Sequence, residues 1–160
     1  ESIGARIELA KTSWAIFVRN PVIGVGPANY RPAARALADE GVVTPVSALF
    51  RHPHSQYLSS MSETGIVGLV CFIMLLAVPG YLYLRTLLVR ESAIRDINVA
   101  IVGLIFVLGY AHFALTTNMF GRTTYLNSYI FILALTIGLL NGPESGPGSR
   151  AVSVSTGETQ

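Results

Sequence analysis

The sequence predicts an all-α polytopic membrane protein fragment, in which an extracytoplasmic helical loop precedes three transmembrane helices and a disordered tail. Hydrophobic residues make up 51% of the 160 residues and charged residues only 12%, about half the charged share of a typical soluble domain. Three long apolar stretches follow a more polar first third. The net charge is +2 and the basic residues are scattered, so nothing favours a nucleic-acid partner.

The apolar stretches are predicted to span the membrane at residues 65–84, 97–116 and 122–140. About 20 consecutive apolar residues cross a hydrocarbon core roughly 30 Å thick. Pro79-Gly80 is predicted to kink the first span, because proline removes a backbone donor and clashes with the preceding turn.

The short loops predict the orientation of the three spans. Three arginines lie in residues 85–96, whereas the loop between the second and third spans holds only Arg122. Positively charged residues of short loops stay in the cytoplasm. Residues 85–96 are therefore expected inside, and residues 1–64 are expected outside with Arg122.

Residues 1–64 are predicted to contain short amphipathic helices. The stretch RIELAKTSWAIFVRN places apolar side chains at near-helical spacing, at Ile7, Ala10, Trp14, Phe17 and Val18. The stretch NPVIGVGPANY breaks this helix, and RPAARALADEG predicts a second one that ends at Gly41. Trp14 and Tyr30 suit the headgroup layer.

Both ends of the chain carry further expectations. Residues 142–160 are rich in Gly, Pro, Ser and Thr and predict a disordered cytoplasmic tail. The chain begins with Glu1, without a basic region and cleavage site behind it. It is expected to be part of a longer protein.

The stretch RHPHSQYLSS raises the functional question, because two histidines stand one residue apart ahead of a span. His52 and His54 are open to three interpretations: solvated loop residues, metal ligands, or a neutral imidazole that acts as a base. A catalytic zinc site needs three protein ligands, which His112 or a carboxylate would have to complete. One cysteine, Cys71, gives neither a disulfide framework nor a thiolate site.

Three motifs in order resemble the C-terminal part of the O-antigen ligase and O-antigen polymerase-like bacterial membrane glycosyltransferases. These motifs are an arginine ahead of a tryptophan (Arg6 and Trp14), the turn NPVIGVGPANY, and HPHSQYLSSMSETGIVGL leading into an apolar helix. The resemblance covers about residues 1–140. The family usually has asparagine after the second histidine, where this chain has Ser55.

The resemblance implies an integral glycosyltransferase of the bacterial cytoplasmic (inner) membrane, with its active face on the periplasmic side. Such an enzyme transfers a glycan from undecaprenyl diphosphate to an acceptor hydroxyl, with inversion and without a metal or cofactor. The acceptor would be lipid A core, another carrier-linked glycan, or a protein.

The resemblance also implies roles for individual residues. His54 would orient or deprotonate the acceptor hydroxyl, and Arg6 would bind the diphosphate through its planar fork of donors. Four further substrate-binding candidates complete the predicted site: Arg51, Arg122, His52 and Glu63.

The alternative is a non-catalytic polytopic protein, such as a transporter half or an assembly scaffold. It predicts that His54 and Arg6 point apart or into lipid headgroups.

Overall fold

The computed structural model describes residues 3–89, 93–119 and 123–142. In that part of the chain there is no strand; the elements are α1 (Ile3–Arg19), α2 (Tyr30–Asp39), a 3₁₀ helix (Pro45–Leu49), α3 (Gln56–Leu88), α4 (Ile94–Phe113) and α5 (Thr123–Asn141). Three of them, α3, α4 and α5, are long and apolar enough to cross a membrane. This confirms the predicted all-α polytopic fold class. Arg122 and residues 143–160, most of the predicted tail, lie outside the described residues.

The three long helices form one bundle around aromatic side chains. Tyr83 of α3 is fully buried and crosses α4 at Gly103, where a Cβ atom would overlap the tyrosine ring. Its hydroxyl lies 2.5 Å from the Oγ1 of Thr136 on α5. Tyr129 of α5 donates to the carbonyl oxygen of Leu75 at 2.9 Å. Polar side chains thus join the helices inside the bundle, while many large apolar side chains face outward.

Helix α3 is sharply bent at Gly65, which has φ 66° and ψ −160°. In a straight α-helix the Cα atoms of Tyr57 and Phe72 would be about 22 Å apart, at 1.5 Å per residue. Their ring centroids are 4.9 Å apart. Residues 56–64, the short arm of α3, therefore fold back along residues 66–88, the long arm. The non-helical backbone inside α3 lies at this glycine. Pro79 lies within the long arm, and the kink expected at Pro79-Gly80 stays a prediction.

The bounds of the spans differ from the predicted ranges. Helices α4 and α5 begin and end within three residues of predictions 97–116 and 122–140, whereas α3 begins nine residues before position 65. The short arm was not predicted as helix because its many serines compete with the helical backbone. Its helical state depends on contacts with α4, described below.

Helices α1 and α2 pack against each other through a small apolar core. Its buried members are Leu9, Ile16, Tyr30, Ala34 and Leu37. The predicted amphipathic helix is present: Ile7, Trp14 and Val18 of its apolar stripe are each at least half exposed, and the buried face carries Leu9, Thr12, Ser13 and Ile16. Small polar residues therefore share the buried face of α1 with apolar ones.

Tyr30 corrects the expectation that it lies among lipid headgroups. The side chain is fully buried, against Thr12 and Ser13 of α1. This burial raises the pKa of Tyr30 to about 12, so the phenol keeps its proton at any physiological pH.

Candidate functional site

The turn formed by residues 20–27 inserts into the bend of α3. Gly65 and Gly24 make this close approach possible: a Cβ atom at Gly65 would overlap the carbonyl of Val22, and one at Gly24 would overlap the backbone of Glu63. Both glycines also have positive φ, which other residues rarely adopt. Four backbone hydrogen bonds of 2.8–3.4 Å join the two segments: Val25 N to Ser62 O, Gly26 N to Glu63 O, Ile66 N to Pro21 O and Val67 N to Val22 O.

These four bonds replace the ones that the bend removes from α3. In an uninterrupted helix the carbonyl of Ser62 would accept from the N–H of Ile66, and Glu63 would accept from Val67 in the same way. Each of these groups instead pairs with the 20–27 turn. The carbonyl groups of Ser62 and Glu63 and the N–H groups of Ile66 and Val67 are thus paired at this break, which explains how a buried bend is tolerated.

The short arm begins where α4 ends. The backbone N–H of Gln56 donates to the carbonyl of Ala114 at 2.8 Å, and the hydroxyl of Tyr57 donates to the carbonyl of Ala111 at 3.2 Å. Carbonyl groups at the end of α4 thus accept hydrogen bonds from the first turn of the short arm. This pairing satisfies groups that helix ends leave open.

A cavity of about 1440 Å³ lies between the short arm, the long arm and the ends of α4 and α5. Its ionisable lining residues on the loop side are Arg31, Arg51, His52, His54 and Glu63. The long arm contributes a small and apolar wall of Gly68, Cys71, Phe72 and Leu75. The cavity is therefore charged at one side and apolar at the other, as a ligand with a charged head and a hydrocarbon chain requires.

The two histidines lie side by side in this cavity. Their ring centroids are 4.6 Å apart, and the backbone N–H of His54 donates to the Nδ1 of His52 at 3.4 Å. The ring of Phe50 contacts His54 edge-on at 5.4 Å. His54 has φ 53°, a left-handed conformation that costs energy outside glycine and is concentrated at functional sites. The loop thus holds the imidazole of His54 by its backbone and by ring contacts.

Glu63 connects the short arm to the start of α2. Burial raises the pKa of the Glu63 carboxyl, whereas the backbone N–H groups of Ala28 and Tyr30 act on it in the opposite direction. Both N–H groups lie at the N-terminal end of α2, where Asn29 gives no side-chain cap. A carboxylate suits the unpaired N–H groups and the positive end of a helix. Ala28 is the other non-glycine residue with positive φ in the described chain, and it also lines the cavity. Glu63 therefore fixes the turn from which Arg31 enters the site.

The family comparison agrees with this geometry. Residues 1–73 match the family model described as O-Antigen ligase. The match confirms the predicted resemblance over the segment that carries all three motifs and the loop side of the cavity. Residues 74–140, which the resemblance was also expected to cover, lie beyond it. No curated protein matches the chain.

Two motifs of the O-antigen ligase resemblance now have a structural reason. The turn NPVIGVGPANY and the stretch ETGIVG are the two halves of the backbone junction at Gly65. Ser55, which stands where the family usually has asparagine, is buried and donates its hydroxyl to the carbonyl of Ala114 at 3.3 Å. It occupies the N-cap position of α3 but makes no side-chain cap. The serine that replaces the family's usual asparagine therefore makes a contact with the end of α4.

The structure brings four of the predicted site residues together and leaves one apart. His52, His54, Arg51 and Glu63 line the same cavity. Arg6 is exposed on α1 and is not among the lining residues, so its catalytic role stays a prediction. This separation is what the non-catalytic alternative expects of Arg6.

Arg122, the remaining candidate, lies outside the described residues.

Sequence reasoning missed several residues of the cavity. Arg31 was not among the predicted candidates; its Nε donates to the carbonyl of Ala48 at 3.1 Å, and it lines the cavity. The short arm contributes a polar stripe of Gln56, Ser59, Ser60 and Thr64, and the loop after α4 adds Thr116, Thr117 and Asn118. Helical spacing from Gln56 onward was the signal that could have revealed the stripe.

The described residues contain no group of three His, Cys, Asp or Glu side chains placed to hold a metal ion. His112, the third histidine, is exposed on α4 and lies off the cavity.

Proposed function

We propose that the protein transfers a glycan from undecaprenyl diphosphate to an acceptor hydroxyl at the periplasmic face of the bacterial inner membrane. The observation that carries this proposal is the cavity in which His54, two arginines and an apolar wall meet. The match of residues 1–73 to the O-antigen ligase family supports the same class of reaction. The three apolar helices support a protein embedded in the membrane that holds the carrier.

The donor would lie with its diphosphate against the guanidinium groups and its prenyl chain along the long arm. Arg31 and Arg51 offer planar donors that match phosphate oxygens. The apolar wall formed by Phe72 and Leu75 suits the first isoprene units. Such a placement leaves the first sugar beside the short arm and near the histidines.

The chemistry needs a base more than an acid. His54 takes the proton of the acceptor hydroxyl while the acceptor oxygen attacks the anomeric carbon. The bond between that carbon and the diphosphate oxygen breaks, and its electron pair stays on the diphosphate. Fixed cations stabilise this developing charge in a poorly hydrated site. Attack opposite the leaving group inverts the anomeric centre, and no metal is required.

The proposal also includes Arg6 and Arg122, which are not among the described residues that line the cavity. Arg6 is exposed and does not line the cavity, so its role at the diphosphate is a prediction that its alanine variant tests. Arg122 is expected at the same face by the positive-inside rule, which keeps residues 85–96 in the cytoplasm. The acceptor is lipid A core, a second carrier-linked glycan or a protein.

The proposal is tested by glycan transfer in the full-length protein, scored by polymer length and by acceptor. His54→Ala is expected to lower transfer by about 10²- to 10⁴-fold, the range that a positioned base contributes. His112→Ala is the matched control, because this histidine lies off the cavity, and it should transfer normally. Arg31→Ala, Arg51→Ala and Arg6→Ala then show which guanidinium groups act on the diphosphate.

Two outcomes would overturn the assignment. Wild-type transfer by His54→Ala at normal expression would show that His54 is not the base, and it would favour the non-catalytic alternative. Loss of activity with chelators, restored by zinc, would replace the proposed mechanism with a metal-dependent one.

A further inference from the structure

The short arm presents a continuous polar stripe to the cavity. Its lining residues Gln56, Ser59, Ser60, Glu63 and Thr64 stand at positions i, i+3, i+4, i+7 and i+8, the spacing of one helix face. Three of them, Gln56, Ser59 and Ser60, are at most 6% exposed. Neutral polar side chains of this kind are costly to bury unless hydrogen bonds satisfy them.

The hydrogen bonds along this stripe are incomplete within the described residues. The Nε2 of Gln56 donates to the Oγ of Ser60 at 3.1 Å, and the hydroxyl of Thr64 donates to the carbonyl of Ser60 at 2.7 Å. The hydroxyl of Ser59 is enclosed and has no hydrogen-bond partner there. By contrast, Ser62 on the same arm bonds the carbonyl of Leu58 at 2.7 Å and does not line the cavity. The unsatisfied hydroxyl thus belongs to the cavity face.

We propose that this stripe, centred on Ser59 and Ser60, is a carbohydrate subsite that binds the hydroxyl groups of the donor's first sugar. The inference rests on the proposed function and adds the part of the substrate that the short arm recognises. Hydroxyl and amide side chains exchange hydrogen bonds with sugar hydroxyls, since both partners donate and accept. The facing wall is small and apolar, so it suits the prenyl chain and not the sugar.

The position of the stripe fits this role. Gln56 begins the short arm two positions after His54, and Glu63 near its other end faces the start of α2, the helix that carries Arg31. Ser59 and Ser60 thus lie on the arm between the proposed base and the helix of a proposed diphosphate ligand. A sugar bound there has its anomeric carbon between the attacking oxygen and the leaving group. The bend at Gly65 creates the subsite, because it turns this polar face toward the long arm.

The test compares two lipid probes on the full-length protein in detergent: undecaprenyl diphosphate and the same carrier with its glycan. Ser59→Ala and Ser60→Ala are expected to weaken binding of the glycan-bearing carrier by about 5-fold each, the effect of losing one hydrogen bond. Binding of the bare carrier should be unchanged. Ser62→Ala is the control and should bind both probes as the wild type does.

Kinetic measurements distinguish a failure of the subsite proposal from a failure of the catalytic proposal. Ser59→Ala should raise KM for the donor at nearly constant kcat, and its melting temperature should stay close to the wild-type value because its hydroxyl is unpaired. Equal affinity of Ser59→Ala, Ser60→Ala and wild type for the glycan-bearing carrier would overturn the subsite. So would an equal loss of affinity for both probes. Loss of transfer in His54→Ala alongside either result would leave the proposed function standing.

Discussion

The ring of Tyr57 packs edge-on against the ring of Phe72, with centroids 4.9 Å apart, although 15 positions separate them on one helix. The contact exists because α3 reverses direction at Gly65. It places the histidine loop beside the long arm and the end of α4. The candidate site is therefore made by a folded-back helix and not by a loop that merely covers the membrane.

The reversal predicts proximity between the two arms. With Cys71→Ser to remove the one cysteine of this sequence, the pair Tyr57→Cys and Phe72→Cys should cross-link with a short bis-thiol reagent. A straight helix would hold these positions about 22 Å apart. Cleavage of the chain between the two positions, followed by gel electrophoresis, shows whether the cross-link holds the two fragments together. The pair Tyr57→Cys and Leu88→Cys is the control, and equal cross-linking of both pairs would contradict the reversal.

Gly65→Ala is predicted to destabilise the site strongly. The new Cβ would overlap the carbonyl of Val22, and the positive φ alone costs about 1–3 kcal/mol in a non-glycine residue. The melting temperature of Gly65→Ala in detergent should be clearly lower than that of the wild type, and glycan transfer should be lost. Gly109→Ala is the matched control, since a Cβ there meets nothing within 4 Å. Similar melting temperatures for the two variants would contradict the backbone junction.

Glu63→Ala is predicted to loosen α2 from the short arm. The backbone N–H groups of Ala28 and Tyr30 favour the charged carboxylate, while burial raises its pKa, and a typical hydrogen bond contributes about 0.5–1.5 kcal/mol. Glu63→Gln should lose less, because its amide oxygen still accepts. Hydrogen exchange of the Ala28 and Tyr30 amides reports the change. Unaltered exchange in Glu63→Ala would show that the carboxylate does not hold the turn.

Tyr83→Phe is predicted to weaken the bundle by about 1 kcal/mol, because the contact between its hydroxyl and Thr136 is lost. Gly103→Ala should cost more, since the methyl group meets the tyrosine ring and overpacked cores typically lose about 1–3 kcal/mol. Unfolding in mixed detergent micelles measures both. In Gly138→Ala, where a Cβ has open space, stability should not fall; a loss equal to that of Gly103→Ala would refute the packing argument.

The exposed apolar stripe of α1 is predicted to contact the bilayer surface. Trp14 is 58% exposed, and tryptophan favours the headgroup level of membranes. Its fluorescence is a direct probe, because this sequence has one tryptophan. Lipids brominated near the headgroup should quench it more than lipids brominated near the chain ends. Quenching by aqueous iodide alone would place α1 away from the membrane.

The sequence predicted what depends on local pattern. Uninterrupted apolar runs identified the three spans, and Gly41 correctly marked the end of α2, where it has φ 73°. The HPH motif pointed to the loop that lines the cavity.

The features that the sequence did not reveal depend on contacts between residues that are distant in the chain. The reversal at Gly65 is possible only because the 20–27 turn supplies backbone partners from about 40 residues away. The buried face of α1 includes Thr12 and Ser13, which hydrophobic spacing alone does not mark. Arg31 reaches the cavity through a contact with Ala48 that no helical spacing predicts.

The bond between Gln56 and the carbonyl of Ala114 sets an order of events during biosynthesis. The ribosome releases the histidine loop nearly 60 residues before the acceptor that anchors it. Until α4 has been inserted by the translocon, the first turn of the short arm lacks its partner. The histidine loop is therefore expected to mature late, and a nascent chain arrested before Ala114 should remain open to protease at residues 51–60.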